Sequence, residues 1–225
     1  MSQPKKNGRC AYCAEIRPLT NDHIPPQNLF PKPRSSDLIT VPCCETCQAG
    51  WSKDDEYFRA AILSSAKVSE GSLAQGAIDS LGRSLRRKEQ KGFSRTILRS
   101  IKEVEIVTEA GILLGKEPVF QLDIERIGRV AQRIIRGLFF HEKGYSLPSG
   151  YEVFVRIQQF GLKPILEQLP GVHFPQLRIV QNGIFSYTFK ETEEDQNSSI
   201  WLLFFYKELP LLGFTRLPLS QRNTL

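Results

Sequence analysis

Apolar residues recur at Ile127, Val130, Ile134 and Leu138, the spacing of one helix face, and Asp123 stands just ahead as an N-cap. This pattern predicts an amphipathic helix from Asp123 to about His141. A similar repeat of Phe58, Ile62 and Ala66, with Ala61 and Ser65 beside it, predicts a helix over Glu45–Lys67. Between the two, Val68–Gly76 reads as a Ser/Gly-rich hinge. A helix running through Arg87 to Lys91 and another from Ser94 to about Glu103 follow it. The pattern then changes period. Val104–Thr108 and Ile112–Leu114, around Glu109-Ala110-Gly111, read as a β-hairpin that Val119–Leu122 extends. Further on, Tyr151–Ile157, Leu177–Val180, Ile184–Phe189, Ile200–Tyr206 and Leu211–Thr215 are strand-like, with Gln181-Asn182-Gly183 a tight-turn signature between two of them. Aromatics at successive positions there point to strands buried on both faces rather than to a base-stacking platform. With a short strand at Leu38–Pro42, the class is α+β, and the sheet at the C-terminal end is an antiparallel meander.

Length and composition narrow the class. The 225 residues suffice for one large domain or two small ones, and 40% hydrophobic with 24% charged residues excludes wholesale disorder. No apolar run approaches the ~18 residues of a membrane span; the longest, Ile200–Tyr206, stops at Lys207 and Glu208. The start, Met1 to Cys10, has positive charges with no apolar stretch behind them and does not read as a secretory signal. The expectation is a soluble, cytoplasmic protein without a membrane partner. The absence of a coiled-coil heptad leaves the oligomeric state open.

All five cysteines lie between positions 10 and 47. A disulfide framework would spread them along an exported chain. Cys10/Cys13 and Cys44/Cys47 instead have knuckle spacing: each tight turn aims two sulfurs at one ion, and four thiolates close a tetrahedron with no open position. These residues are therefore candidate ligands of a structural Zn²⁺, which substitutes for the core that a segment of about 60 residues cannot bury alone. Cys43 is an alternative to Cys44 through a three-residue gap, and the two-residue spacing is preferred.

The residues between the knuckles carry a resemblance. Asp22-His23-Ile24-Pro25-Pro26 ends a first strand, a Pro/Asn/Ser-rich loop leads to Leu38–Pro42, and the second knuckle opens a helix. Strand, loop, strand and helix, stapled by zinc with Asp-His between the knuckles, resemble the HNH or ββα-metal endonucleases over about the first 60 residues. The resemblance implies a zinc-bound ββα-metal module over residues 1–68 and an α+β region over 69–225 that binds and selects substrate. It implies His23 as general base for the attacking water. It also implies a single divalent ion, Mg²⁺ or Mn²⁺, held by Asp22 and the residue after the last cysteine, Gln48. The partner implied is nucleic acid, with DNA favoured because the family mostly cuts DNA. Adjacent strand residues point to opposite sides, so Asp22 can face the ion while His23 faces the water. Two positions depart from the family pattern. Gln48 stands where Asn or His is usual, with Asp54 and Asp55 nearby as further candidate ligands. Asp37 stands where a bracing Asn is usual, with Asn28 as a substitute. These departures carry the alternative reading, a nucleic-acid-binding protein on an HNH frame that has lost cleavage.

Charge adds a candidate binding surface. The net charge is +6, yet the stretch Arg83–Lys102 alone carries an excess of seven positive charges, so the rest of the chain sums to −1. Arg86, Arg87, Lys88 and Lys91 are the candidate phosphate contacts in that stretch. Arg126, Arg129, Arg133 and Arg136 fall on one side of the Asp123 helix, none with an acid at i+4 on its own helix. They read as a second phosphate-tracking stripe, as a solubilising face, or as ion pairs to the acidic loop Glu191–Asp195. His141 and His173, beside phenylalanines, read as core or surface residues rather than ligands.

Overall fold

The computed structural model describes residues 6–157, 167 and 169–218; the start of the chain through Lys5 lies outside them. A three-stranded antiparallel sheet opens the chain, in the order β1 (Asn7–Arg9), β2 (Ile16–Ile24) and β3 (Ile39–Cys44). The β2–β3 register pairs Asp22 with Val41 and His23 with Thr40. Ile39, Val41 and Cys43 are buried while Thr40 between them is exposed, so the period of two turns one face of β3 inward.

The helix expected over Glu45–Lys67 is three pieces: α1 (Glu45–Gln48), α2 (Trp51–Leu63) and α3 (Ala66–Ser69). Ala49 is extended (ψ 128°) and Gly50 left-handed (φ 86°), which ends α1 and re-aims the chain. Glycine reaches that φ without a Cβ clash. The expected hinge, Val68–Gly76, instead completes α3, makes a 3₁₀ turn at Ser72–Ala74 and enters α4 (Gln75–Leu85), and α5 spans Lys91–Ser100. The chain becomes a strand at Ile101 rather than staying helical to Glu103. β4 (Ile101–Val107) is rich in the β-branched residues Ile101, Val104, Ile106 and Val107, which favour a pleated strand, and it pairs with β5 (Leu113–Phe120) as an antiparallel hairpin.

α6 (Ile124–Lys143) begins where expected: the Asp123 carboxylate accepts the Arg126 backbone N–H at 3.1 Å. It ends at left-handed Gly144. The remaining strands, β6 (Glu152–Ile157), β7 (Arg178–Val180), β8 (Phe185–Glu191), β9 (Ser199–Phe205) and β10 (Leu209–Arg216), form one antiparallel sheet ordered β6-β10-β9-β8-β7. Trp201 and Leu203 belong to the main core. Leu202, between them, packs on the opposite face with Leu212, Leu169 and Phe174, so both sides of the sheet are covered.

α6 is the central element. One apolar cluster joins Ile24 and Val41 of the first sheet, Phe58 of α2, Ile134 and Leu138 of α6, and Leu203 and Leu211 of the second sheet. A Cβ at Gly137 would lie 2.5 Å from Ile24 Cδ1, and one at Gly213 would lie 2.1 Å from Ile135 Cδ1. Missing side chains let α6 seat tightly on both sheets. Among the described residues, no helix is long and apolar enough to cross a membrane.

Candidate functional site

Two turns and a strand end bring the cysteines together. Cys10 and Cys13 lie in the turn after β1, Cys44 ends β3 and Cys47 lies in α1. Their four sulfurs all fall within 4.8 Å of one another. Cys13 Sγ and Cys44 Sγ are 3.8 Å apart. A tetrahedron with zinc–sulfur bonds of about 2.3 Å has edges of about 3.8 Å, so the group is sized for a metal such as zinc. Burial pushes the Cys10 thiol up, but backbone N–H groups of Cys13, Cys44 and Tyr12 outweigh it and bring it down to about 7. A sulfur so surrounded by donors favours the thiolate a metal takes. Cys43 stands apart. It is fully buried on the inward face of β3 and donates its S–H to the Cys44 carbonyl at 3.3 Å, so strand alternation alone separates it from Cys44.

Asp22 and His23 sit at the end of β2 and face opposite sides. Asp22 is 8% exposed, and its Oδ2 accepts the Tyr12 hydroxyl at 2.6 Å and lies 3.8 Å from Arg133 Nε. His23 is half-buried, with Nε2 3.1 Å from the side-chain nitrogen of Gln27. Gln48, exposed at the end of α1, accepts a hydrogen bond from Thr20 Oγ1 at 3.0 Å. Thr20 precedes Asp22 by two on β2 and so shares its face, which brings the Gln48 amide oxygen to the Asp22 side of the strand.

Asp54 and Asp55 are committed elsewhere. Arg126 Nε and Arg129 Nε each donate to Asp54 at 2.8 Å, and Arg133 Nη2 donates to Asp55 Oδ1 at 2.5 Å. The Arg126 guanidinium lies 4.4 Å over the Tyr57 ring, and that of Arg133 4.4 Å over Trp51. Arg136 turns to the Tyr151 carbonyl at 3.3 Å. Arg126, Arg129 and Arg133 thus fold down onto α2, and none of the four meets Glu191–Asp195 in an ion pair among the described residues, where Glu191 pairs with Lys143 at 2.6 Å. Arg129, with 55% of its side chain exposed, is the member of the stripe that faces solvent most. Burial pushes Asp55 up to about 6 against the pull of Arg133, whereas the two arginines on Asp54 hold it below its ordinary value despite burial.

The basic stretch behaves differently. Arg83, Arg86, Arg87, Lys88, Lys91, Arg95, Arg99 and Lys102 are all exposed, and none forms an ion pair among the described residues. Arg86, Arg87 and Lys88 lie at the α4–α5 turn, and Lys91 opens α5. The start of α4 touches the loop that follows His23: a Cβ at Gly76 would lie 3.3 Å from Pro31 Cβ. In that loop Asp37 accepts the Gln181 backbone N–H at 2.9 Å, and the Asn28 side-chain oxygen is buried without a partner among the described residues. Comparison with protein-family models, curated proteins and solved structures gave no match.

Proposed function

We propose that this chain is a metal-dependent endonuclease of the HNH type, hydrolysing phosphodiester bonds in nucleic acid, with DNA the favoured substrate. One observation carries the reading. Four cysteines that could hold one metal lie at the base of a strand–strand–helix unit in which Asp22 and His23 are adjacent near one strand end and Gln48 closes the short helix α1 that follows.

His23 is the general base, an imidazole being the side chain suited to accept a proton near neutral pH. It removes a proton from water, the water oxygen bonds to phosphorus, and the opposite phosphorus–oxygen bond breaks. The leaving oxygen takes a proton from solvent. The oxygen donors beside it fit a hard divalent ion such as Mg²⁺ or Mn²⁺. Asp22 Oδ1 takes no hydrogen bond from any described residue, and Gln48 offers its amide oxygen. Such an ion supplies charge neutralisation at the phosphate and at the leaving oxygen. Zn²⁺ in the cysteine group is structural, with no position left for substrate. The exposed α4–α5 face, through Arg86, Arg87, Lys88 and Lys91, docks the phosphate backbone, and residues 69–225 select the substrate.

The arginine contacts of Asp22, Asp54 and Asp55 favour a second reading, an HNH frame that binds nucleic acid without cutting it. A plasmid nicking assay on zinc-loaded protein with Mg²⁺ and then Mn²⁺ separates the two. Metal-dependent cutting, reduced at least ~100-fold in His23→Ala and in Asp22→Ala, is the expected result. A folded, zinc-loaded wild type that binds DNA or RNA without cutting it transfers the assignment to the second reading. Cutting that persists in His23→Ala overturns the catalytic assignment.

A further inference from the structure

We infer that Tyr12 and Arg133 are positioning residues that hold Asp22 in the orientation a divalent ion needs; the inference rests on the proposed nuclease reading. A carboxylate at a strand end rotates about two side-chain torsions, and a metal site needs one oxygen held in one direction. Here Oδ2 is the held oxygen. Tyr12 donates to it at 2.6 Å and Arg133 Nε stands 3.8 Å away, so both contacts fall on one oxygen. The other, Oδ1, takes no hydrogen bond from a described residue, and the Asp22 side chain keeps 11% of its surface exposed.

The holders are themselves held. Tyr12 lies inside the first cysteine knuckle, between Cys10 and Cys13, and meets the Trp51 ring edge-on with centroids 4.9 Å apart. Arg133 is clamped between Asp55 at 2.5 Å and the face of Trp51 at 4.4 Å, and is 6% exposed. The support therefore runs from the zinc knuckle through Tyr12 to Asp22, and from α2 through Arg133 to the same atom.

Distance also says what kind of support Arg133 gives. At 3.8 Å, Nε is beyond hydrogen-bond range, and it is a buried donor with no partner among the described residues. A bidentate guanidinium would take both carboxylate oxygens and leave none for an ion. Arg133 instead sets its positive charge 3.8 Å from Oδ2 and spares Oδ1. Its position in α6 makes a helix from outside the first 68 residues part of the ion site.

Mn²⁺ binding to the full-length, zinc-loaded protein, followed by electron paramagnetic resonance, tests this without reading activity. Asp22→Asn should abolish the site, and Tyr12→Phe should weaken Mn²⁺ binding by about 10-fold, the usual scale for an outer-shell partner, with zinc content unchanged. Arg133→Lys, which cannot reproduce the planar stack on Trp51, should weaken it in the same direction. Wild-type affinity in Tyr12→Phe overturns the inference while leaving the nuclease reading in place. Tighter binding in Arg133→Lys overturns it too, marking Arg133 as a cation that competes with the ion. A wild type that binds no Mn²⁺ removes the divalent site, and with it both the nuclease reading and this inference.

Discussion

The Asp37 carboxylate accepts the backbone N–H of Gln181 at 2.9 Å, tying the loop ahead of β3 to the turn ahead of β8 across 144 residues of sequence. The bond asks only for an acceptor, which an ionised aspartate supplies. The Ser35 side chain and the Gln181 N–H hold this carboxyl below its ordinary value. The ionised form is therefore favoured in the folded state. Its contribution to stability is fully present above the unfolded value of about 3.9 and is lost as pH falls through the lower folded value. Urea midpoints measured from pH 6 to pH 2 should show the margin of wild type over Asp37→Asn shrinking below about pH 4. A margin constant over that range would remove the linkage. Asp37→Ala, which leaves the Gln181 N–H unpaired, should cost about 1 kcal/mol at neutral pH.

Local signals were legible in the sequence. The Asp123 cap, the Glu109–Gly111 turn between β4 and β5, and the apolar face of Ile127, Val130, Ile134 and Leu138 are each set by residues within a few positions of one another. The knuckle spacing likewise placed Cys10, Cys13, Cys44 and Cys47 together, because each pair is a tight turn. What escaped is of two kinds. The break at Ala49-Gly50 was overridden by the period of Phe58, Ile62 and Ala66, which reports on a helix face and not on where its backbone starts; Gly50 was the available clue. The pairing of Asp54 with Arg126 and Arg129 spans more than 70 residues, and an i+4 test sees only partners on the same helix. The surroundings of Asp22 were illegible for the same reason: Tyr12 and Arg133 reach it from two separate elements.

Asp55 gives a titration of the opposite sign. Burial raises its folded value to about 6, above the ~3.9 of an unfolded chain. Between these values the folded state binds more protons than the unfolded one, so this contribution is fully present below about pH 4 and is lost as pH rises through about 6. Asp55→Asn removes the titration while keeping a side-chain oxygen for Arg133. The stability of wild type relative to Asp55→Asn should therefore fall between about pH 4 and pH 6 and level off above that, read from urea midpoints at each pH. Parallel profiles for the two proteins would show that Arg133 has returned the carboxyl to its ordinary range.

The cysteine group predicts a division among five similar residues. Elemental analysis should find one zinc per chain. Serine at Cys10, Cys13, Cys44 or Cys47 should abolish stoichiometric zinc. Structural zinc contributes on the order of 10 kcal/mol in small zinc-dependent folds, more than the first sheet can replace, so chelation should melt that sheet. Cys43→Ala should keep full zinc and lose about 1 kcal/mol, the scale of one small buried group in a packed site. Loss of zinc in Cys43→Ala, with Cys44→Ser retaining it, would move the ligand to the three-residue gap.

Arg86, Arg87, Lys88 and Lys91 should meet phosphate, and Arg136 should not. Both basic stretches look alike in sequence, but the structure separates them by what they already hold. Arg126 and Arg133 are spent on Asp54 and Asp55, and Arg136 on the Tyr151 carbonyl. Arg86, Arg87, Lys88 and Lys91 are exposed and have no ion pair among the described residues. A cation free of an internal partner releases a condensed counterion when it meets DNA, and each such contact adds about 0.9 to the slope of log affinity against log salt. Fluorescence anisotropy on a labelled duplex between ~50 and ~200 mM salt should therefore show the slope falling by about 3 to 4 when all four are changed to alanine. Arg136→Gln, removing a positive charge turned inward, should leave the slope unchanged. If Arg136→Gln lowers the slope and the fourfold variant does not, the phosphate-binding face lies along α6, and the α4–α5 surface has another use.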